Sequence, residues 1–246
     1  MNTKWVRLLA LLIATSTSWA SDMTGEDVIK KLEDQQVFDS AFVRGKMVIN
    51  DRFGEKISTF ESWSLGADYS LILFTSPEEQ GQKVLRSHDD LYLYFPDAEE
   101  VIRLSGSALR DSLLGSDLSY EDMTGDKSLL DSYRVDTYSQ EALNGTPTYR
   151  IKLTALTPRI AYPTQELWID AATFTALKVH KYALNGKLLK VQTVLAVTEI
   201  GKYRFATHSR IEDHLKGNSA TDFYIEDIEV DTALTPDFFS IQELTW

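Results

Sequence analysis

Across its 246 residues the chain carries 25 basic and 37 acidic side chains, a formal net charge of −12, and no cysteine. The acidic balance excludes the clustered Lys and Arg that grip a phosphate backbone, so no nucleic-acid partner is expected, and it disfavours simple adsorption to anionic lipid. The missing thiols exclude disulfide staples, thiol catalysis and an acyl anchor on a lipobox cysteine.

The first twenty residues read as an export leader. Lys4 and Arg7 form a positive start, Leu8 to Ala14 an apolar core, and Ser18-Trp19-Ala20 puts small residues at the −3 and −1 positions of a cleavage site. That apolar run is too short to cross a bilayer as a helix, so cleavage rather than anchoring is expected. Losing Lys4 and Arg7 takes the formal charge from −12 to −14. Residues 21–246 are then expected to be a soluble periplasmic protein forming a single β domain, long enough to bury a core without metals or disulfides.

The mature chain opens on a predicted helix. Thr24 caps it, Asp27 completes a capping box, Met23 staples onto Val28, and Val28, Ile29 and Leu32 supply one apolar stripe. Beyond this helix most of the chain has period two. Val43, Met47 and Ile49 alternate with Arg44, Lys46 and Asn50, and Tyr149, Ile151 and Leu153 with Arg150, Lys152 and Thr154. Such alternation predicts antiparallel strands with one wet and one dry face, roughly ten or eleven of them at this spacing. Asn144-Gly145 and Asn185-Gly186 are tight-hairpin signals. A slip of the apolar phase from Phe223 and Ile225 to Ile228 and Val230 predicts a β-bulge in the last strand.

Between Ser105 and Asp131 the rhythm turns helical. Leu109, Leu113 and Leu114 fall in a first short segment, and Ser119-x-x-Asp122 and Ser128-x-x-Asp131 resemble caps of two more. A Leu-bearing helical insert in a β chain suggests a lid over a concave sheet; a plain crossover loop plugging one end of a barrel fits the pattern equally.

Three strings carry a family resemblance: Tyr92-Leu93-Tyr94-Phe95-Pro96, Val101-Ile102-Arg103-Leu104-Ser105 and, most specific, Gly115-Ser116-Asp117-Leu118-Ser119-Tyr120-Glu121-Asp122. With Phe74-Thr75-Ser76-Pro77, Trp168-Ile169-Asp170 and Asp237-Phe238-Phe239, they are similar to the bacterial outer-membrane lipoprotein-sorting proteins, relatives of the lipoprotein carrier LolA. The resemblance is densest from Arg44 to Asp122. It implies a mainly β fold, a half-open antiparallel barrel with an N-terminal helix and a short helical lid insert. It also implies a lipid or acylated lipoprotein as ligand and an inner-membrane transporter as partner. Relatives in this group include envelope-stress sensors and proteins that partner lipid-exporting pumps, so a non-transporting accessory or sensor module is the alternative to a carrier. LolA-like proteins hold the lid closed with an arginine on an early strand, which makes Arg44 a latch candidate here.

Apolar walls and a gate suffice for such a carrier, because each CH₂ taken from water gains about 0.8 kcal/mol. Wall candidates are Trp63, Leu71, Leu73, Phe74, Tyr92 and Tyr94, although such positions are more often ordinary core than ligand contacts. Lid candidates are Leu109, Leu113, Leu114 and Met123. Asp117 and Asp122 read either as helix caps or as a latch to Arg103 or Arg110. No catalytic framework, Walker loop or dinucleotide fingerprint is present, and no cofactor is expected. His208 and His214, sharing strand parity with Glu212 between them, read as solvated strand residues rather than metal ligands. A hydrolase acting on envelope lipids is the least favoured reading.

Overall fold

A computed structural model describes residues 23–35, 39–124, 128–158, 160–201 and 203–245; the expected leader lies outside them. The strands are β1 (Ser40–Asp51), β2 (Gly54–Leu65), β3 (Tyr69–Phe74), β4 (Lys83–Ser87), β5 (Asp90–Phe95), β6 (Glu100–Leu104), β7 (Tyr133–Leu143), β8 (Thr146–Ala155), β9 (Thr164–Asp170), β10 (Ala176–Tyr182), β11 (Leu188–Ile200), β12 (Tyr203–Asp213) and β13 (Ala220–Val230). These thirteen exceed the ten or eleven expected. Strands β3 and β5 are near-continuous apolar runs, YSLILF and DLYLYF, because both of their faces are covered.

All thirteen join one antiparallel sheet in the order β6-β5-β4-β3-β2-β1-β13-β12-β11-β10-β9-β8-β7. Two meanders are thus fused where β1 pairs with β13, and β6 and β7 are the free edges of a half-open barrel. Those two edges are consecutive in the chain. The residues between them cross from one edge to the other through 3₁₀ turns at Gly106–Arg110 and Leu113–Gly115, then α2 (Tyr120–Thr124) and α3 (Leu129–Ser132).

The insert lies on the inner face. Leu113 is fully buried there against Met47, Phe60, Ile72, Phe74, Val84 and Leu93, and Leu109, Leu114, Leu118, Tyr120 and Met123 pack on the same cluster. Helix α1 (Gly25–Asp34) covers the inner face of the other meander, burying Val28, Ile29 and Leu32 against Tyr149, Ile151, Leu153, Leu167 and Ile169. Its capping box forms as the sequence predicts, with Asp27 N donating to Thr24 Oγ1 at 3.2 Å and Thr24 N to Asp27 Oδ2 at 2.8 Å; Met23 packs on the same cluster. On the outer face, a 3₁₀ turn at Pro236–Phe239 and α4 (Ile241–Leu244) cover Leu71 and Leu85. Lys83 Nζ donates to the α4 carbonyls of Glu243 and Leu244 at 3.2 and 2.9 Å, where the helix dipole favours a cation.

The predicted bulge is present. Arg44 pairs with Asp227 and Gly45 with Ile225, leaving Glu226 as the extra residue. Gly45 is required at this point, since a Cβ there would stand 2.2 Å from the Tyr224 carbonyl oxygen and 2.8 Å from Phe60 Cζ. The hairpin signals differ in outcome. Asn144 and Gly145 both take positive φ, 51° and 89°, as a two-residue hairpin turn needs. At Asn185-Gly186 only Gly186 does, because the turn there closes from Gly186 N to Ala183 O at 2.9 Å.

Gly45→Ala is expected to lower stability by about 1–3 kcal/mol, the usual cost of overpacking, read as a lower urea midpoint with an unchanged slope.

Candidate functional site: an inner cavity under a lysine-held lid

Between the insert and strands β1–β3 and β10–β13, the inner face leaves a cavity of about 390 Å³. Phe60, Ile72, Phe205 and Phe223 supply its apolar walls, and Leu118 and Met123 reach into it from the insert. Its charged lining residues are Asp122, Lys181 and Lys190, with Gln192 beside them.

Asp122 stands at the centre of this polar group. Its place in α2 is fixed by a capping box with Ser119: Asp122 N donates to Ser119 Oγ at 3.1 Å and Ser119 N to Asp122 Oδ2 at 2.9 Å. From there the carboxylate reaches across the cavity. Lys181 Nζ donates to Oδ1 and Lys190 Nζ to Oδ2, each at 2.6 Å, and the Tyr162 hydroxyl donates to Oδ2 at 3.0 Å. Side-chain exposure is only 8% for Asp122, 18% for Lys181 and 11% for Lys190. The two lysines are cross-strand partners in the β10–β11 register, a like-charged pairing that destabilises a sheet unless something compensates it. Asp122 is that compensation, and the Tyr162 ring adds a face 4.5 Å from one ammonium and 5.7 Å from the other.

Burial by itself would raise the Asp122 carboxyl, but the charges of Lys181 and Lys190 outweigh it and hold the pKa far below the usual carboxylate range. Burial first, and the Asp122 charge second, push the Tyr162 phenol up, so it stays protonated and remains a donor.

Two further contacts pin the neck of the insert. Asp117, fully buried, accepts from Thr221 Oγ1 of β13 at 2.7 Å while its own N donates to the same oxygen at 2.9 Å. Lys216 Nζ donates to the carbonyls of Gly115, at 2.9 Å, and Ser116. The string from Gly115 to Asp122 therefore holds the insert to the barrel at two places, β13 and the β10–β11 pair. Leu114 and Gly115 turn the chain with φ of 51° and 83°, Asp117 anchors it, Leu118 enters the cavity, and Ser119 caps the helix that carries Asp122.

The structure redistributes the residues singled out from sequence. Leu109, Leu113, Leu114 and Met123 all lie on the insert's inner side, and Met123 lines the cavity. Of the wall candidates, only Phe74 sits on the inner face, packed near Leu113 rather than in the cavity. Trp63, Leu71, Tyr92 and Tyr94 belong to the outer cluster beneath the C-terminal segment, and Leu73 shares the strand phase of Leu71. The cavity is lined by the opposite parity, Phe60, Ser62 and Ile72. Alternation gave the period of these strands but not which phase faces inward, since both phases are apolar.

The latch partners also change. Arg44 lies on the outer surface, donating to Asp227 Oδ2 at 2.8 Å and to Glu61 Oε1 at 3.3 Å. Arg103 donates to Asp90 Oδ1 at 3.1 Å, and Arg110 is exposed. Neither arginine meets Asp117 or Asp122; Thr221 and the two lysines do. Asp122 is both cap and latch, whereas Asp117 is an anchor to β13 and caps nothing. Lys181 and Lys190 escaped the sequence reading although a signal existed: Lys181 continues the inward phase of Val179, where a lysine is out of place on a dry face. His208 is engaged with Asp222, at 2.9 Å, and stacks on Tyr224.

Comparison with known proteins fits this architecture. A family model described as that of an uncharacterized protein matches residues 66–246. The fold matches a domain assigned to the outer membrane lipoprotein-sorting proteins of Vibrio parahaemolyticus, with TM-score 0.83, 23% identity and coverage of 89% of this chain and 97% of that one. It also matches a DUF1329 family protein from Desulfovibrio piger, with TM-score 0.82, 25% identity and coverage of 89% and 96%. A LolA superfamily protein from Nitrosomonas europaea matches with TM-score 0.76, 22% identity and coverage of 90% and 99%. The chain belongs to the family of that uncharacterized-protein model and has a LolA-like fold. No curated protein matches it. Among the described residues, this LolA-like chain has no helix long and apolar enough to cross a membrane.

Because the pKa of Asp122 in the folded protein is depressed, its stabilisation is present above the free carboxylate value of about 3.9 and fades as pH falls toward the folded-state value. Hydrogen exchange is expected to lose protection across residues 117–123 below about pH 4, ahead of the sheet. Asp122→Asn, which does not titrate, lacks that step. Asp122→Ala leaves two buried ammoniums without a counter-ion and is expected to cost about 3–5 kcal/mol in chemical denaturation.

Proposed function

We propose that this protein is a carrier that takes an acyl chain, free or as part of a lipid or lipoprotein, into the inner cavity and shields it in transit between membranes. The observation that carries the reading is the cavity itself: about 390 Å³, walled by Phe60, Ile72, Phe205 and Phe223, under an element joined to the barrel by a small set of polar contacts. Pockets of this size and character are where proteins bury most of a small ligand's surface. A closed core would have filled the space at crystal-like density. The likeness in fold to a LolA superfamily protein supports the same reading, as does the lipoprotein-sorting assignment of the Vibrio domain.

The carrier works by binding alone and needs no catalytic group. Each methylene moved from water to the cavity contributes about 0.8 kcal/mol, so a chain of ordinary length is held firmly yet reversibly. The leader read over residues 1–20 would deliver residues 21–246 to the periplasm, where an inner-membrane transporter is the proposed donor.

Native mass spectrometry of the gently purified protein is the test: a bound amphiphile is expected, and an empty protein that captures a membrane-protein domain would favour an accessory module instead. Leu118→Asp and Met123→Asp, each putting a carboxylate into the cavity from the lid, are expected to weaken binding of 1-N-phenylnaphthylamine by at least tenfold with unchanged far-ultraviolet circular dichroism. Unchanged probe affinity would remove the cavity from consideration.

A further inference from the structure

We infer that the ligand of this cavity carries an anionic head, and that the head opens the lid by taking the place of Asp122 between Lys181 and Lys190. The inference rests on the carrier reading and deepens it by naming the ligand class: an apolar tail ending in a carboxylate or phosphate.

Opening the lid changes the charge at the cavity wall. Asp122 travels with α2, whereas Lys181 and Lys190 are fixed in β10 and β11. In the closed state the group holds two ammoniums and one carboxylate, an excess of one positive charge. Lifting the insert withdraws the one carboxylate that pairs with both lysines. Two largely buried cations would then face each other across adjacent strands, an arrangement that is costly without a counter-ion. Asp213 is in register with Lys190 but is turned to its own hairpin, where Oδ1 accepts from Leu215 N at 2.8 Å. Glu166, adjacent on β9, bonds Arg150 and Tyr182 on the opposite phase.

An anion delivered with the ligand removes that cost. Its oxygens would occupy the sites now held by Asp122 Oδ1 and Oδ2, accepting from both ammoniums and from the Tyr162 hydroxyl. Its tail would lie along the apolar wall of the same cavity, which Ile211, Phe223 and Phe60 line. A neutral ligand of equal length gains the same apolar burial but offers no replacement for Asp122, so it competes against a closed lid. Ligand binding and lid opening are thereby coupled, and the coupling is set by the headgroup charge. A cationic amphiphile meets repulsion at the same point.

Displacement of 1-N-phenylnaphthylamine from the full chain tests this with laurate, dodecyl phosphate, dodecanol and dodecyltrimethylammonium, all used below their aggregation thresholds. Both anions are expected to displace the probe at concentrations at least tenfold lower than dodecanol, with the cation weakest. Lys181→Gln and Lys190→Gln, each leaving Asp122 one partner, should narrow the anion preference, and the double variant should abolish it while still binding dodecanol. Asp122→Asn, which keeps the acceptor that caps α2 but frees the lysines, should bind laurate more tightly than the native protein. Equal displacement by laurate and dodecanol from the native protein would overturn the headgroup inference and leave the carrier reading intact. Failure of every amphiphile to displace or bind would overturn both. A preference for one anion over the other tells whether the head is a carboxylate or a phosphate.

Discussion

The architecture follows from one constraint of chain connectivity. The two free edges of the sheet, β6 and β7, are neighbours in sequence, so the segment joining them must pass over the open side of the barrel. It cannot pair as a strand without closing the barrel and removing the opening. A short run of 3₁₀ turns and two small helices meets that requirement, and its leucines satisfy the inner face of the first meander. The cavity is the part of the inner face, on β1–β3 and β10–β13, that this cover does not fill, while α1 buries the inner face of the second meander.

That cover is held by two kinds of interaction. Leu109, Leu113 and Leu114 provide non-directional burial, which tolerates displacement of the segment as a unit. Asp117 and Asp122 provide directional contacts to β13, β10 and β11, whose strength inside a protein depends on their partners staying in place. The first anchors the segment near its turn; the second sits farther along, at the cavity. The segment is thus tethered at one point, by Asp117 to β13, and held by charge at another, by Asp122 to Lys181 and Lys190.

Much of the fold was legible because period-two alternation and turn chemistry are local signals. The capping box at Thr24 and Asp27, the Asn144-Gly145 hairpin and the bulge in β13 each follow from residues within a few positions of one another. The half-open barrel and its helical insert were legible in the pattern together with the resemblance carried by Gly115 to Asp122. The site was less legible. Where β2 and β3 are covered on both faces, Trp63 and Leu71 look as inward as Phe60 and Ile72, and sequence cannot choose the phase. The latch was half visible: Asp122 stood out, but its partners lie 59 and 68 residues away. Arginines close in sequence are the obvious candidates to pair with it, and lysines misplaced on an inward phase are the ones that do.

An opening wide enough for a ligand also leaves unpaired backbone at two strand edges, and such edges recruit strands from other molecules unless they are spoiled. Strand β6 is only five residues long and carries Glu100 and Arg103 among its apolar positions. Strand β7 is long, but a register shift between Val135 and Thr137 kinks it, and Arg134, Asp136 and Glu141 stud its length. Both borders thus carry the devices that keep a sheet from growing. The chain can remain permanently unclosed, as its cover requires, without becoming a template for its own aggregation.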